Sequence, residues 1–482
     1  MTLATLNKVW WTPRSISVVF WLAYLVAGFL LLWGRDFSAD SGIALTGAWQ
    51  ISQGERLYRD FVQFHAPGTF YVLGFFFKLF GARYVVARSV SLGLILLSGY
   101  GLWLGTRGFL PGWRRYVAPF LLLLLFAYYP IINHNPWGVA VAVWAWLVLE
   151  WAHRQNRLAR YVAAGVAAGA IVWMMHPKGL MVFGAGAVVL GLRHRRALAG
   201  YAAGFLLALL PALFFWPAPT LWSMLFVLPF RYNRLPLTLT NYAPFLLVLL
   251  IVLSLGWQLR RRHAPPVVSR WWWFNLALVG STAIRPDVYH VVLNSAALAP
   301  LVLWLLPSRF FWRGWATLGD ILPVALPSIY LLTAVLMLIP HLQTSLPGWS
   351  GQTFSQWLRL EDPGIQKIVA EVQALVPASA PIYAGPFLPN LYFETRRHNP
   401  TRFDQLITTL SPPEFFAEAR RALEADPPAL VLLNYYNVEK YRHSQNNPVD
   451  AFINERYQVW QRFGGLTLLV PRGDGDVTAS NP

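Results

Sequence analysis

Long apolar runs, broken at short intervals by arginine clusters, fill the first 340 positions of the chain. At a rise of about 1.5 Å per residue, about 20 apolar residues cross a hydrocarbon core, and the runs are read on that scale. The first covers about 15–34. The others cover about 84–105, 116–132, 137–152, 161–175, 179–192, 198–216, 242–258, 271–284, 291–306 and 321–340, about eleven in all. The run 161–175 carries GVAAGAIV, small residues that let helices approach closely. The stretch 67–81, PGTFYVLGFFFKLFG, is short and holds Lys78, so it reads as an interfacial or re-entrant segment and is not counted. From about residue 342 the pattern changes. APIYAG (380–385) and PALVLLNYY (428–436) read as buried strands, while 363–376 and 412–425 have helical spacing. YQVWQRFGGLTLLVPR (457–472) reads as a hairpin with a Gly-Gly turn, and the last ten residues are expected to lack fixed structure.

The basic residues sort the ends of the runs. Lys8 and Arg14 precede the first. Arg107, Arg114 and Arg115, then Arg154, Arg157 and Arg160, then Arg193, Arg195 and Arg196, then Arg260, Arg261 and Arg262, and finally Arg309 and Arg313 fall at every second junction. The positive-inside rule makes those junctions cytoplasmic. An odd span count then puts the N-terminus inside and everything after residue 341 outside. The N-terminal run has a basic start but no small-residue cleavage site after it, so it reads as a retained helix and not as a signal peptide. The expected fold class is a polytopic α-helical membrane protein of about 11 transmembrane helices, followed by a small C-terminal α/β extracytoplasmic domain. The expected domains are residues 1–341, with the outer loop 35–82 inside them, and residues 342–482.

Composition agrees with that class. The chain is 56% hydrophobic and only 12% charged, where a soluble enzyme carries about 25% charged residues. Its 24 Trp suit interfacial belts. The net charge of +18 resides in the short inter-run clusters and so indicates loop topology, not nucleic acid. Cysteine is absent, which excludes disulfides and cysteine metal sites.

Seven acids precede residue 342, and four of them, Asp36, Asp40, Glu55 and Asp60, lie in one outer loop, 35–67. Clustered carboxylates beside an apolar wall are unfavourable unless solvated, paired or used. His65 lies in the same loop. The outer ends of the spans carry His134, His176, Lys178, Arg285 and His290, and the long aromatic loop after 216 carries Arg231 and Arg234. A carboxylate takes a proton from a hydroxyl nucleophile, and cations neutralise a departing phosphate. Aromatic-rich helices suit an isoprenoid tail. Together these parts describe sugar transfer from a lipid phosphate. No glycine-rich phosphate cradle is present, so a soluble nucleotide donor is not indicated. Each group also has a bland role. Asp40 is a candidate N-cap for the helix SGIALTGAWQIS, Asp60 a surface partner of Arg56 or Arg59, Lys178 a snorkelling lysine, His290 an interfacial imidazole and Arg285 a partner of Asp287.

ADSGIALTGAWQISQGERLYRDF resembles the first outer loop of the type-C membrane glycosyltransferases, which include protein O-mannosyltransferases and lipid A aminoarabinose transferases. Asp40, Ala48, Gly54, Tyr58, Asp60 and Pro67 fall on that loop's pattern, and His65-Ala66-Pro67 is similar to a relaxed His-Pro-Pro. The resemblance implies that Asp40 is the general base and that Asp60 belongs to the site. It puts Lys178 and His290 near the lipid phosphate; Arg285, His65 and Tyr58 are further candidate substrate contacts. The second acid of the family's pair is Ser41 here, which puts a metal or acceptor role at that position in doubt.

The expected function is transfer of a hexosyl or pentosyl group from a polyprenyl-phosphate donor to a hydroxyl of a glycan, lipid or protein acceptor, with inversion. The location would be the outer face of the plasma membrane. No cofactor is required by the sequence, and the question of a divalent metal stays open. Two rivals remain. One is an oligosaccharide polymerase or ligase using a larger lipid-linked donor. The other is a lipid or solute transporter, which internal repeats and mid-span acids would favour; neither is present in the sequence.

Overall fold

The computed structural model describes residues 13–191, 194–232, 238–295, 297–306, 352–473 and scattered positions between 325 and 339. Most of the predicted run 321–340, together with Lys8, Arg193, Arg234, Arg309, Arg313 and the tail from 474, lies outside the described residues. The chain forms two compact units. One comprises residues up to 35, 85–215 and 235–360; the other comprises 36–84, 216–234 and 361–482.

In the first unit nine helices fall on the first nine predicted runs, from Pro13–Leu32 and Tyr84–Thr106 to Leu239–Arg261 and Pro266–Gly280. Three described helices are long and apolar enough to cross a membrane by length and composition: Tyr84–Thr106, Arg195–Phe215 and Tyr242–Arg261. The predicted run 291–306 is two short helices, Val288–Asn294 and Leu298–Leu305, which together would add a fourth span. Serine and asparagine side chains compete for the backbone where the first of these ends: Asn294 Nδ2 donates to the His290 carbonyl and Ser295 Oγ to that of Val292.

Small residues decide the closest packing. A Cβ added at Gly165 would collide with the Tyr201 carbonyl, and one at Gly204 with the Val162 carbonyl. Leu158–Met174 and Arg195–Phe215 therefore touch backbone to backbone, as the Gly and Ala content of the first predicted. Trp137, Trp146, Trp271 and Phe274 fill the interior. Glu150, buried, and Arg270, partly buried, from His134–Gln155 and Pro266–Gly280, form a two-point ion pair at 2.7 Å. Burial with a geometrically matched partner is what keeps such a pair tolerable in an apolar interior. Val18, Leu22, Leu206 and Phe214 are exposed, which suits hydrocarbon contact. The segment after residue 352 begins in this unit: Trp33 Nε1 donates to the Leu358 carbonyl at 3.0 Å and Arg35 to that of Leu360 at 2.6 Å.

The second unit is built on a four-stranded sheet in the order β1-β2-β4-β3, with β1 Ile382–Gly385, β2 Leu430–Leu433, β3 Tyr457–Phe463 and β4 Leu466–Pro471. β1 and β2 are parallel, joined through the helix Pro413–Ala425, and the other two pairings are antiparallel. The predicted hairpin is present, with Gly464 at φ +55° in the turn. Strands β1 and β2 are wholly buried, which explains their unbroken apolar sequence. The first outer loop belongs to this unit. Its helix Ala39–Ser52 packs on Gly68–Phe80 and on Pro389–Thr395. Gly42 and Gly47 make that possible, because a Cβ would come within 2.6 Å of the Asn390 backbone nitrogen and of the Phe70 ring respectively. Residues 216–232, read from sequence as a loop, are helical: Ala218–Trp222, a π-turn at Ser223–Val227, and Leu228–Tyr232. Leu225 is buried while Trp222, Val227 and Phe230 stay exposed, and Trp216 Nε1 donates to the Leu57 carbonyl at 2.8 Å.

Candidate active-site groups in each unit

In the first unit the groups gather around Asn135. Asn133 caps His134–Gln155, its side chain accepting from the Asn135 N–H at 2.9 Å. Asn135 is itself buried. Its amide nitrogen lies 2.9 Å from His290 Nε2 and 3.3 Å from His134 Nε2. An amide nitrogen only donates, so His290 Nε2 accepts and the His290 proton sits on Nδ1. Nδ1 faces both oxygens of Asp287, at 2.8 and 2.7 Å. Asp287 also caps Val288–Asn294 and lies 3.6 Å from Arg285 Nε. Burial works to raise the Asp287 carboxyl, but the hydrogen bond from His290 Nδ1 and the Arg285 charge outweigh it and hold it below the ordinary carboxylate value.

Lys178 completes this cluster. It lies in the first turn of His176–Gly191, which folds back on Leu158–Met174 because Gly179 has no Cβ to strike the Val172 backbone. The ammonium is fully buried, and Nζ donates to the Asn135 carbonyl at 3.1 Å. Gly138 leaves room for its stem, 3.4 Å from where a Cβ would stand. Among the described residues that is its one hydrogen bond, for a group with three donors. A bound anion would offset the cost of keeping this group charged in a buried place. Arg88, which sequence reasoning did not single out, is also buried in this unit, with Nη1 donating to the Pro130 carbonyl at 2.6 Å. Asn135 was missed as well, although it stands within the Asn-His-Asn-Pro motif at a span end.

In the second unit, the helix that carries Asp40 is capped by Ser38, whose side chain accepts from the Ser41 N–H. The capping role weighed for Asp40 therefore belongs to Ser38, and Asp40 is a half-buried acid in the first helical turn. Asp36 accepts from the Ser38 N–H at 2.9 Å, from Ser38 Oγ at 2.8 Å and from Ser41 Oγ. Ser41, at the position of the departed second acid, is thus buried and committed to Asp36. Asp60 accepts two bonds from Arg59 at 2.7 Å and the Arg56 N–H at 2.8 Å. The Arg59 guanidinium holds its carboxyl below the ordinary value. Tyr58, buried and at φ +67°, donates its hydroxyl to the His65 carbonyl at 2.5 Å. It ties the loop 58–65 closed. Among the described residues, no three His, Asp or Glu side chains come together as a metal site.

Behind this loop lies a buried acid that sequence did not flag. Asp404 accepts from Asn399 Nδ2 at 3.3 Å and is fully enclosed. Burial pushes its carboxyl up to about 7, opposed by the Asn399 and Gln63 hydrogen bonds and reinforced by the charge of Glu55. A carboxyl raised on folding stabilises below its unfolded pKa, and that contribution is lost as pH rises through the folded value. Wild-type protein should therefore lose stability, on the order of a few kcal/mol, between pH 4 and about 7 relative to Asp404→Asn. Melting temperatures of both in detergent across that range check it; parallel curves would mean that Asp404 stays ionised.

No protein-family model matches the chain, and no curated protein sequence matches it. Among solved structures, the chain is similar to ArnT from Cupriavidus metallidurans bound to undecaprenyl phosphate. The identity is 14% and the TM-score 0.57, over 96% of this chain and 99% of that one. The arabinofuranosyltransferase AftD from Mycobacteria aligns at 14% identity and a TM-score of 0.47, over 96% of this chain and 40% of the longer one. The chain thus resembles ArnT in fold, and the resemblance to type-C membrane glycosyltransferases drawn from the first loop is met at the level of the fold.

Proposed function

We propose that this membrane protein is a polyprenyl-phosphate-sugar glycosyltransferase acting on the outer membrane face. The observation that carries the reading is the full-length fold likeness to ArnT, a protein bound to undecaprenyl phosphate. The buried Lys178 ammonium, with one hydrogen bond among the described residues, supports a phosphate partner in the first unit. Asp40 is the general base. Asp60 is a weaker candidate, because its ion pair with Arg59 lowers its basicity.

The acceptor hydroxyl gives its proton to the Asp40 carboxylate as its oxygen attacks the anomeric carbon. The new C–O bond forms while the bond from that carbon to the phosphate oxygen breaks, and the electron pair leaves with the polyprenyl phosphate. Lys178 neutralises the leaving group, assisted by Arg285 and by His290, which Asp287 holds in one tautomer. A single displacement inverts the anomeric centre. Hexosyl and pentosyl donors both satisfy this scheme.

Membranes containing the chain should transfer label from a radiolabelled polyprenyl-phosphate sugar and not from nucleotide sugars. Transfer from a nucleotide sugar alone would overturn the donor assignment. The outer-face reading has its own check: a reporter fused after residue 345 should be active only outside the cytoplasm, and cytoplasmic activity would remove it.

A further inference from the structure

We infer that an anionic bilayer phospholipid occupies a groove between Leu239–Arg261 and Pro266–Gly280, at the end of the latter helix far from the Asp287 cluster. The groove has a volume of about 930 Å³. Arg260, Arg261 and His263 form one wall region, and Trp257, Trp272 and Trp273 supply the aromatic surface. Among the described residues lining it there is no carboxylate.

The local sequence builds this shape. His263 at φ +50° ends the first helix, with the Ala264 N–H donating to the Leu259 carbonyl and the His263 N–H to that of Arg260. The helix end is thereby closed, and the chain turns at Pro265-Pro266 into the second helix. Gly256 has no Cβ to strike the Trp272 ring, so the indole lies on the first helix, donating to the Val252 carbonyl at 2.7 Å. Arg261 lies 4.6 Å above the exposed Trp257 ring, held by a cation–π contact. Arg262 is turned away, donating to the Leu305 carbonyl at 3.0 Å. Arg260, Arg261 and His263, all exposed, therefore line the groove around an aromatic and aliphatic floor, while Arg262, also exposed, does not line it.

The chemistry selects the occupant. Arg260 and Arg261 belong to the basic cluster that the positive-inside rule assigns to the cytoplasmic face, at headgroup depth. Guanidinium groups match a phosphodiester, and basic pockets between membrane helices on that face take anionic headgroups. The exposed Leu253 and Trp257 offer the acyl chains an apolar track. This site is separate from the donor site, and it stands whether or not the chain transfers sugar.

Native mass spectrometry of the full chain in detergent, titrated with phosphatidylglycerol or phosphatidylcholine, tests this. Wild type should retain one phosphatidylglycerol in preference to phosphatidylcholine. Arg260→Gln with Arg261→Gln should lose that preference by about thirtyfold, the effect of two basic contacts with an anionic headgroup. Arg260→Lys with Arg261→Lys should keep most of it. Arg195→Gln with Arg196→Gln, in another basic cluster, should keep all of it. Equal retention of both lipids by wild type, or an unchanged preference in the double Gln variant, would overturn the inference. So would displacement of the lipid by equimolar glycerol phosphate, which would mark a site for soluble phosphate.

Discussion

Asp40→Asn is expected to lower sugar transfer by about two to four orders of magnitude, the usual effect of losing a general base. Asn keeps the size of Asp and removes its negative charge, and with it the capacity to accept a proton as an anion. The helix start is not at risk, because Ser38 supplies the cap. Loss of a negative charge in the first turn removes about 0.3–1 kcal/mol of helix-dipole interaction, too little to unfold the unit. Protein amount and detergent stability should therefore stay near wild type. Asp60→Asn, measured in parallel, should have the smaller effect on transfer. Near-normal transfer by Asp40→Asn with loss in Asp60→Asn would move the base to Asp60.

Lys178→Met is expected to weaken donor binding by roughly tenfold to 150-fold. A charged hydrogen bond contributes about 1.5–3 kcal/mol, and each 1.4 kcal/mol is about tenfold. Met preserves the unbranched stem that fits against Gly138. The variant also separates function from structure. A buried ammonium kept only for packing would leave donor kinetics unchanged when replaced. One held ready for a phosphate is unfavourable in the free protein, so Met should leave the free protein as stable as wild type or more so, while the donor affinity falls. Unchanged donor affinity would leave Lys178 a packing residue bonded to the Asn135 carbonyl.

The elements that were legible in the sequence are those set by local pattern. Nine of the described helices of the first unit follow apolar runs between arginine clusters. β1 and β2 follow unbroken apolar stretches, and Gly464-Gly465 marks the hairpin. What the sequence hid depends on contacts between distant positions. Thr46 donates to the Pro389 carbonyl at 2.5 Å, a pairing across 343 residues, and this kind of contact makes the first loop part of the same unit as the C-terminal sheet. Residues 216–232 looked like a loop because their apolar residues had no visible periodicity or partner. Lys178 and His290 stood out as charged or imidazole groups at span ends. Asn135, a neutral amide between them, carries no such signal, although it is the residue to which both hydrogen-bond. Asp404 looked like one more acid in an acid-rich segment, and only its enclosure distinguishes it.

The most direct test of the central claim follows the lipid product. Purified protein in liposomes is given a radiolabelled polyprenyl-phosphate sugar and an acceptor-containing membrane extract, and free polyprenyl phosphate is measured against sugar transferred. Wild type should release one polyprenyl phosphate per sugar, with the transferred sugar inverted at its anomeric carbon, and Asp40→Asn should release almost none. Release that is equal in wild type and Asp40→Asn, or sugar transfer without release of polyprenyl phosphate, would contradict the account.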